Sequence, residues 1–205
     1  MACSCHCDAA PAAAVGAYRR VLWVVIAINA AMFVVEMTGG LIAGSVSLQA
    51  DALDFLGDSL TYAISLAVLS MSLRWRAGAA LFKGASMGLF GLWVIGNTAY
   101  HALFPGLPSA PIMGGIGFAA LIANVASAVL LYRHRQGDAN MRSVWLCSRN
   151  DAISNIAVIV AASGVWATAT GWPDLIVGGI MAALALSSSY QVIRQAKGEW
   201  EPARA

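Results

Sequence analysis

Six apolar runs, each of roughly 20 residues, take up most of this chain and restrict its fold more than any other feature. An α-helix of that length crosses the hydrocarbon core of a bilayer, which is about 30 Å thick. The composition agrees, because 60% of the 205 residues are hydrophobic and only 11% are charged. The sequence therefore predicts an all-α membrane protein with six transmembrane helices, near residues 20–43, 47–71, 81–103, 111–132, 143–168 and 173–195.

Basic residues occur in alternate connections between these spans. They precede span 1, follow span 6, and lie between spans 2 and 3 and between spans 4 and 5, whereas the other connections have none. With Lys83 counted before span 3 and Arg194 counted after span 6, Arg149 is the only Lys or Arg inside a span. By the positive-inside rule, both termini are predicted to be cytoplasmic. The predicted divisions are a flexible tail at 1–17, a six-helix transmembrane domain at 18–196 and a short cytoplasmic tail at 197–205.

Several function classes are excluded by what the sequence does not contain. The net charge is only +2, and no basic cluster alternates with aromatic residues, so no nucleic-acid partner is expected. No arrangement of nucleophile and base stands out, and there is no nucleotide-binding loop. The chain is therefore not predicted to be an enzyme, and its function is expected to reside in the membrane bundle.

Three aspartates in the stretch "QADALDFLGD" break the apolar pattern of span 2. Asp51, Asp54 and Asp58 fall within about 60° of one another on a single helix face. A charge inside a bilayer costs several kcal/mol, so such a face requires a partner, a metal ion or a water-filled path. Asp51 is expected near the outer mouth, where hydration lowers the cost. Asp54 and Asp58, spaced i and i+4, repel each other unless a cation or a proton intervenes.

A second pair with the same spacing lies in span 5, in "CSRNDAISN". Cys147 and Asp151 are four residues apart, and Asn155 follows one turn later on the same face. If spans 2 and 5 face each other, they offer four ligands that suit a tetrahedral divalent ion, and the thiolate favours zinc or cadmium. The predicted metal ligands are Asp54, Asp58, Cys147 and Asp151.

A simpler interpretation of span 5 stays open. Cys147 can be a small buried hydrophobic residue, and Asp151 an ion-pair partner of Arg149 or of another helix. Arg149 lies roughly 200° around the helix from both, so it is expected to point away from the metal site.

Spans 1, 2 and 5 together resemble the cation diffusion facilitator family, whose members export zinc and related divalent ions. Spans 1 and 2 contribute "NAAMFVVEMTGGLIAGSVSLQADALDFLGDSLTYAISL", with its Asn, Glu, Gly-Ser turn and D-x-x-x-D. Span 5 contributes "NMRSVWLCSRNDAISNIAVIVAA", and "PDLIVGGIMAALAL" of span 6 is also similar. The resemblance covers roughly residues 18–195.

The resemblance implies a multi-pass transporter of the bacterial inner membrane that exchanges a divalent cation for protons by alternating access. Its transport site falls on Asp54, Asp58 and Asp151, with Cys147 where members usually have His. Family members also carry a cytoplasmic C-terminal domain that this sequence lacks, so a homodimer is expected to form through the transmembrane helices. No permanent cofactor is expected, only the transported Zn²⁺ or Cd²⁺. Three polar residues are candidates for an accessory role, either in an access path or in structural hydrogen bonds: Glu36, Asp51 and Asn155.

The tail "MACSCHC" contains the other three cysteines of the chain. Closely spaced reduced thiols bind soft metals, and the predicted topology puts them on the cytoplasmic side. The alternative is a disordered tail whose cysteines serve no ligand role. A metal-binding tail also supports a second hypothesis, a membrane metal sensor or chaperone that does not transport. The candidate ligands are Cys3, Cys5, His6 and Cys7.

Overall fold

The structure is a computed structural model that describes residues 12–68, 73–133 and 139–200. Within these segments the chain forms six α-helices and no strand, which confirms the predicted all-α fold. The helices are α1 (Ala12–Ala43), α2 (Val46–Val68), α3 (Leu73–Leu103), α4 (Ala110–Tyr132), α5 (Ala139–Thr168) and α6 (Trp172–Trp200).

Four of these helices are, by length and composition, apolar enough to cross a membrane over their described residues: α1, α4, α5 and α6. The other two are more polar. Helix α2 contains the three aspartates, and α3 contains Lys83, Asn97 and His101. Large apolar side chains are exposed around the bundle, as a surface in contact with lipid requires. The polar residues of α2 and α3 therefore need a location inside the bundle.

Helix α2 lies at the centre of the described bundle. It packs against α1, α3, α5 and α6, whereas α4 packs against α1 and α5. The largest interface joins α3 to α6. A polar face on α2 is thus enclosed by other helices and kept away from lipid.

Glycines allow α3 and α6 to approach closely. A Cβ atom at Gly91 would lie 2.9 Å from the Leu186 side chain, and one at Gly84 would lie 2.7 Å from Ile193. The Ser189 hydroxyl donates a hydrogen bond to the Gly84 carbonyl oxygen at 2.6 Å. This close contact sets the rotation of α3 about its own axis, and so determines which face of α3 is turned toward α2.

The start of α2 is held by a carboxylate from α6. The Asp174 side chain, 0% exposed, accepts hydrogen bonds from the Ser45 hydroxyl at 2.7 Å and the Val46 amide at 2.7 Å. It also accepts from the Ser47 amide at 3.0 Å and the Ser47 hydroxyl at 2.5 Å. Gly44, with φ of 63°, makes the turn from α1. An anion at a helix N-terminus is stabilised by free amide groups and by the helix dipole, so Asp174 fixes the position of α2.

Candidate metal site

A cavity of about 340 Å³ lies between α2, α3, α5 and α6. Asp58, which lines it, is close to the midpoint of α2, so the cavity lies about halfway along the bundle. The charged residues that line the cavity are Asp54, Asp58, Lys83 and Asp151.

The carboxyl groups of Asp58 and Asp151 lie within hydrogen-bonding distance of each other, across the contact between α2 and α5. The hydroxyl of Tyr62, a buried residue one turn along α2, donates to Asp58 Oδ2. Asp54 lies one turn before Asp58 on the same face, where Cβ atoms are about 6 Å apart. All three aspartates are half-buried, and all three line the cavity.

The structure thus brings together three of the four residues that the sequence suggested as metal ligands. Cys147 belongs to α5, one turn before Asp151, but its side chain lies outside the described part of the structure. No group of three His, Cys, Asp or Glu side chains among the described residues could hold one metal ion in this conformation. The assignment of these residues as ligands stays a prediction.

Lys83 was expected in the connection before span 3, but it lies within a helix. Helix α3 begins at Leu73, so Lys83 lies ten residues inside it and lines the cavity with the three aspartates. Its charge interacts favourably with Asp58. The prediction was wrong because an apolar run marks the part of a helix that suits lipid, whereas the helix itself continues through basic residues at its end. Arg149, by contrast, is exposed and donates to the Asn150 side chain, as expected of a residue outside the site.

Asp51 is 1% exposed, so the expectation that it lies at a hydrated outer mouth is wrong. Glu36 is 0% exposed, and the two carboxyl groups lie within hydrogen-bonding distance of each other. With both ionised, the Glu36 oxygens and Asp51 Oδ2 have no donor among the described residues. A proton on one of the two groups provides that donor, because a protonated carboxyl group donates one hydrogen bond.

Asn155 is also fully buried, and neither polar atom of its side chain has a hydrogen-bond partner within the described segments. Glu36, Asp51 and Asn155 are not among the residues that line the cavity. Their accessory role, either in an access path or in structural hydrogen bonds, stays a prediction. The four candidate ligands of the tail, Cys3, Cys5, His6 and Cys7, lie outside the described residues.

Sequence reasoning missed three residues that the structure places at the site or at its support. Tyr62 is spaced i and i+4 from Asp58, and this spacing is a signal that could have identified it. Asp174 follows Pro173 in the first turn of α6, where an acidic residue in such an apolar chain stands out. Its partners precede it by 127 to 129 residues, so no local pattern connects them. Lys83 was seen but placed in a connection.

Comparison with protein families identifies one match that covers most of the chain. The model of the cation efflux transmembrane domain matches residues 22–198. The zinc transporter ZitB of Escherichia coli is 25% identical over 197 residues, covering 88% of this chain and 62% of the relative. The cadmium, cobalt and zinc/H(+)-K(+) antiporter of Bacillus subtilis is 24% identical over 193 residues, covering 87% and 62%.

A third relative is the metal cation efflux system protein CzcD of Cupriavidus metallidurans, 22% identical over 171 residues. That match covers 78% of this chain and 54% of the relative. The chain thus spans less than two thirds of the length of these curated relatives.

Proposed function

The chain belongs to the family of the cation efflux transmembrane domain, and from this premise we propose that it moves a divalent metal cation across the membrane. The observation that carries the proposal is the cavity midway along the bundle, where aspartates of α2 and α5 converge. Three carboxylates and one ammonium group leave two negative charges when all are ionised, which a divalent cation neutralises. The relatives are named as transporters of zinc, cadmium and cobalt.

We propose Asp54, Asp58, Cys147 and Asp151 as the ligands, with Zn²⁺ or Cd²⁺ as the substrate. Oxygen and sulfur donors from two rigid helices suit four-coordinate zinc, and a thiolate raises the affinity for softer ions. The three aspartates line the cavity, whereas the side chain of Cys147 lies outside the described part of the structure.

The exchange of metal for protons follows from the same ligands. Carboxylates and a thiol must lose their protons to bind metal, so metal binding releases protons. When the metal leaves, adjacent carboxylates such as Asp58 and Asp151 repel each other and take up a proton. Alternating access to the cavity then couples export of metal to import of protons, and the gradients across the membrane set the direction.

The test is transport into vesicles. The full chain is reconstituted with an internal fluorescent chelator, and the initial rates of zinc and cadmium uptake are measured in the presence of a proton gradient. Asp58→Asn keeps the shape of the side chain but removes a ligand charge, so the rate is expected to fall at least about 100-fold. Asp138→Asn, in the sequence that precedes α5, is the matched control and is expected to retain the parent rate.

Two results would contradict the proposal. If Asp58→Asn transported metal as fast as the parent, the site assignment would be wrong. If the parent bound zinc but moved none, and deletion of residues 1–11, which precede α1, removed the binding, the sensor or chaperone hypothesis would replace transport.

A further inference from the structure

Among the described residues that line the cavity, Lys83 is the only basic one. In the structure its ammonium group forms no direct ion pair with Asp58, although both residues line the same cavity. We propose that this group is a tethered cation, which can move to pair with Asp58 and is displaced from it when a divalent ion binds. The inference rests on the proposed function and adds a residue that sets how tightly the site binds its substrate. Its consequence is a site that weakens its own metal affinity and thereby eases release.

The face of α3 on which Lys83 lies supports this role. Lys83, Met87, Phe90 and Val94 line the cavity at positions i, i+4, i+7 and i+11, which share one side of a helix. The adjacent Gly84 is held against α6, so α3 cannot rotate to carry Lys83 away without breaking that contact. Lys83 is therefore directed toward the aspartates by the packing of its own helix.

The depth of Lys83 in the bundle gives a second reason. It lies about 15 Å along α3 from Leu73 and is half-buried. A lysine inside a membrane bundle costs several kcal/mol unless an anion compensates its charge. Asp58, one of the proposed ligands, lines the same cavity and is the carboxylate with which the Lys83 charge interacts favourably.

Lys83 is not locked into another interaction. Within the described part of the chain, it forms no hydrogen bond or direct ion pair that would fix its ammonium group. A lysine side chain is a point charge on a flexible four-carbon stem, so it can approach Asp58 or withdraw. A cation with this freedom can exchange places with an incoming ion, whereas an ammonium group held in a tight ion pair could not.

The effect on affinity follows from the competition. A ligand that binds only the unpaired form of a site has its dissociation constant raised by the reciprocal of the fraction unpaired. If Lys83 occupies Asp58 for about nine-tenths of the time, the metal dissociation constant is raised about tenfold. Removal of the lysine charge should then tighten binding, the opposite of what damage to the site would do.

The experiment measures zinc and cadmium dissociation constants of the purified full chain with a competing fluorescent indicator. Lys83→Met is expected to bind zinc about tenfold more tightly than the parent. Lys83→Arg keeps the charge and is expected to restore the weaker binding. Lys197→Met, which removes the other lysine of the chain at an exposed position on α6, is the matched control. In an Asp58→Asn background, Lys83→Met should give no gain.

Each other result has a definite meaning. If the parent binds zinc and Lys83→Met binds it equally or more weakly, the inference is overturned while the proposed function stands. If the parent binds neither ion, both are overturned. Should Lys83→Met fail to fold, Lys83→Gln removes the same charge and is held to the same expected gain.

Discussion

Carboxylates at the first turn of helix α2 and at the cavity further along it have different surroundings, and we refer to these two places as the first and second level. At its first turn, the Asp174 carboxylate accepts four hydrogen bonds from three consecutive residues and is fully buried. Two to three turns further along α2, Asp54 and Asp58 face a cavity and a third carboxyl group. Among the described residues at that level, the Tyr62 hydroxyl donates to Asp58, and the carboxyl group of Asp151 lies within hydrogen-bonding distance of Asp58.

The difference separates a structural acid from acids that require a ligand. A buried charge with all its acceptor sites occupied stabilises the fold, because its desolvation is offset by hydrogen bonds. Buried or half-buried carboxylates that mainly face one another raise the energy of the empty protein until a cation or proton joins them. Removal of the carboxylate at the first level should therefore lower the stability of the metal-free protein, whereas removal of one at the second level should leave it unchanged or raise it.

The largest effect is expected at the first level. Asp174→Asn replaces an acceptor oxygen with an amide group and removes the charge, so at least one donor of Ser45, Val46 or Ser47 is left unpaired. The free energy of unfolding should fall by about 3 kcal/mol. Denaturant titration of the detergent-solubilised protein, followed by tryptophan fluorescence, measures this loss.

The matched control for Asp174→Asn is Thr170→Ala, which removes an exposed hydroxyl of the same α5–α6 connection. Its effect should stay within about 0.5 kcal/mol, as is usual for surface positions. The fraction of Asp174→Asn that remains folded should bind zinc with the parent affinity. Parent-like stability of Asp174→Asn would show that the α2 turn is held by something else.

Much of the fold was predictable from sequence, because lipid imposes a simple pattern on it. Span 4 was expected at 111–132 and is observed as Ala110–Tyr132, since an uninterrupted apolar run suits both helix and bilayer. Span 3 was expected to begin at 81, whereas α3 begins at Leu73. Hydropathy detects where a helix enters lipid but does not detect how far the helix extends beyond it.

The site was predictable to the extent that its residues lie on one helix face. Spacing alone placed Asp54 and Asp58 together, and a second pair with the same spacing suggested Asp151 as their partner. Depth and long-range partners were not predictable in this way. Asp51 is buried because α1 covers it, and Asp174 reaches the start of α2 from the other end of the sequence. Only tertiary packing determines these two environments.

The second prediction tests the other level of α2. Asp54→Asn removes a negative charge that is repelled by its neighbours Asp51 and Asp58. Without metal, the variant should therefore be as stable as the parent or more stable. Zinc at about 100 times its dissociation constant should stabilise the parent by about 2.7 kcal/mol, and Asp54→Asn should lose most of that gain.

Denaturant titrations with and without zinc measure both quantities for Asp54→Asn. The control is Asp138→Asn, which should keep the full zinc-dependent gain. If Asp54→Asn lost as much metal-free stability as Asp174→Asn, Asp54 would be a structural acid. The proposed difference between the two levels would then be wrong.

The smallest expected effect is a change in which metal ion the proposed site at the second level prefers. Cys147 was suggested as the fourth ligand, and Cys147→His replaces a soft thiolate with an imidazole of intermediate softness. The ratio of zinc to cadmium affinity should rise about tenfold, or 1.4 kcal/mol, with the stability of the metal-free protein unchanged. Competition binding of the two ions measures the ratio.

This measurement needs a background in which tail thiols cannot bind cadmium, so Cys3, Cys5 and Cys7 are replaced by serine in both proteins. Asp58→Asn in the same background should weaken both ions together, because a carboxylate discriminates between them less than a thiolate does. A changed ratio for Cys147→His, with both ions weakened by Asp58→Asn, would establish Cys147 as a ligand. An unchanged ratio would return Cys147 to the packing role, and the metal would then be held by the aspartates and by water.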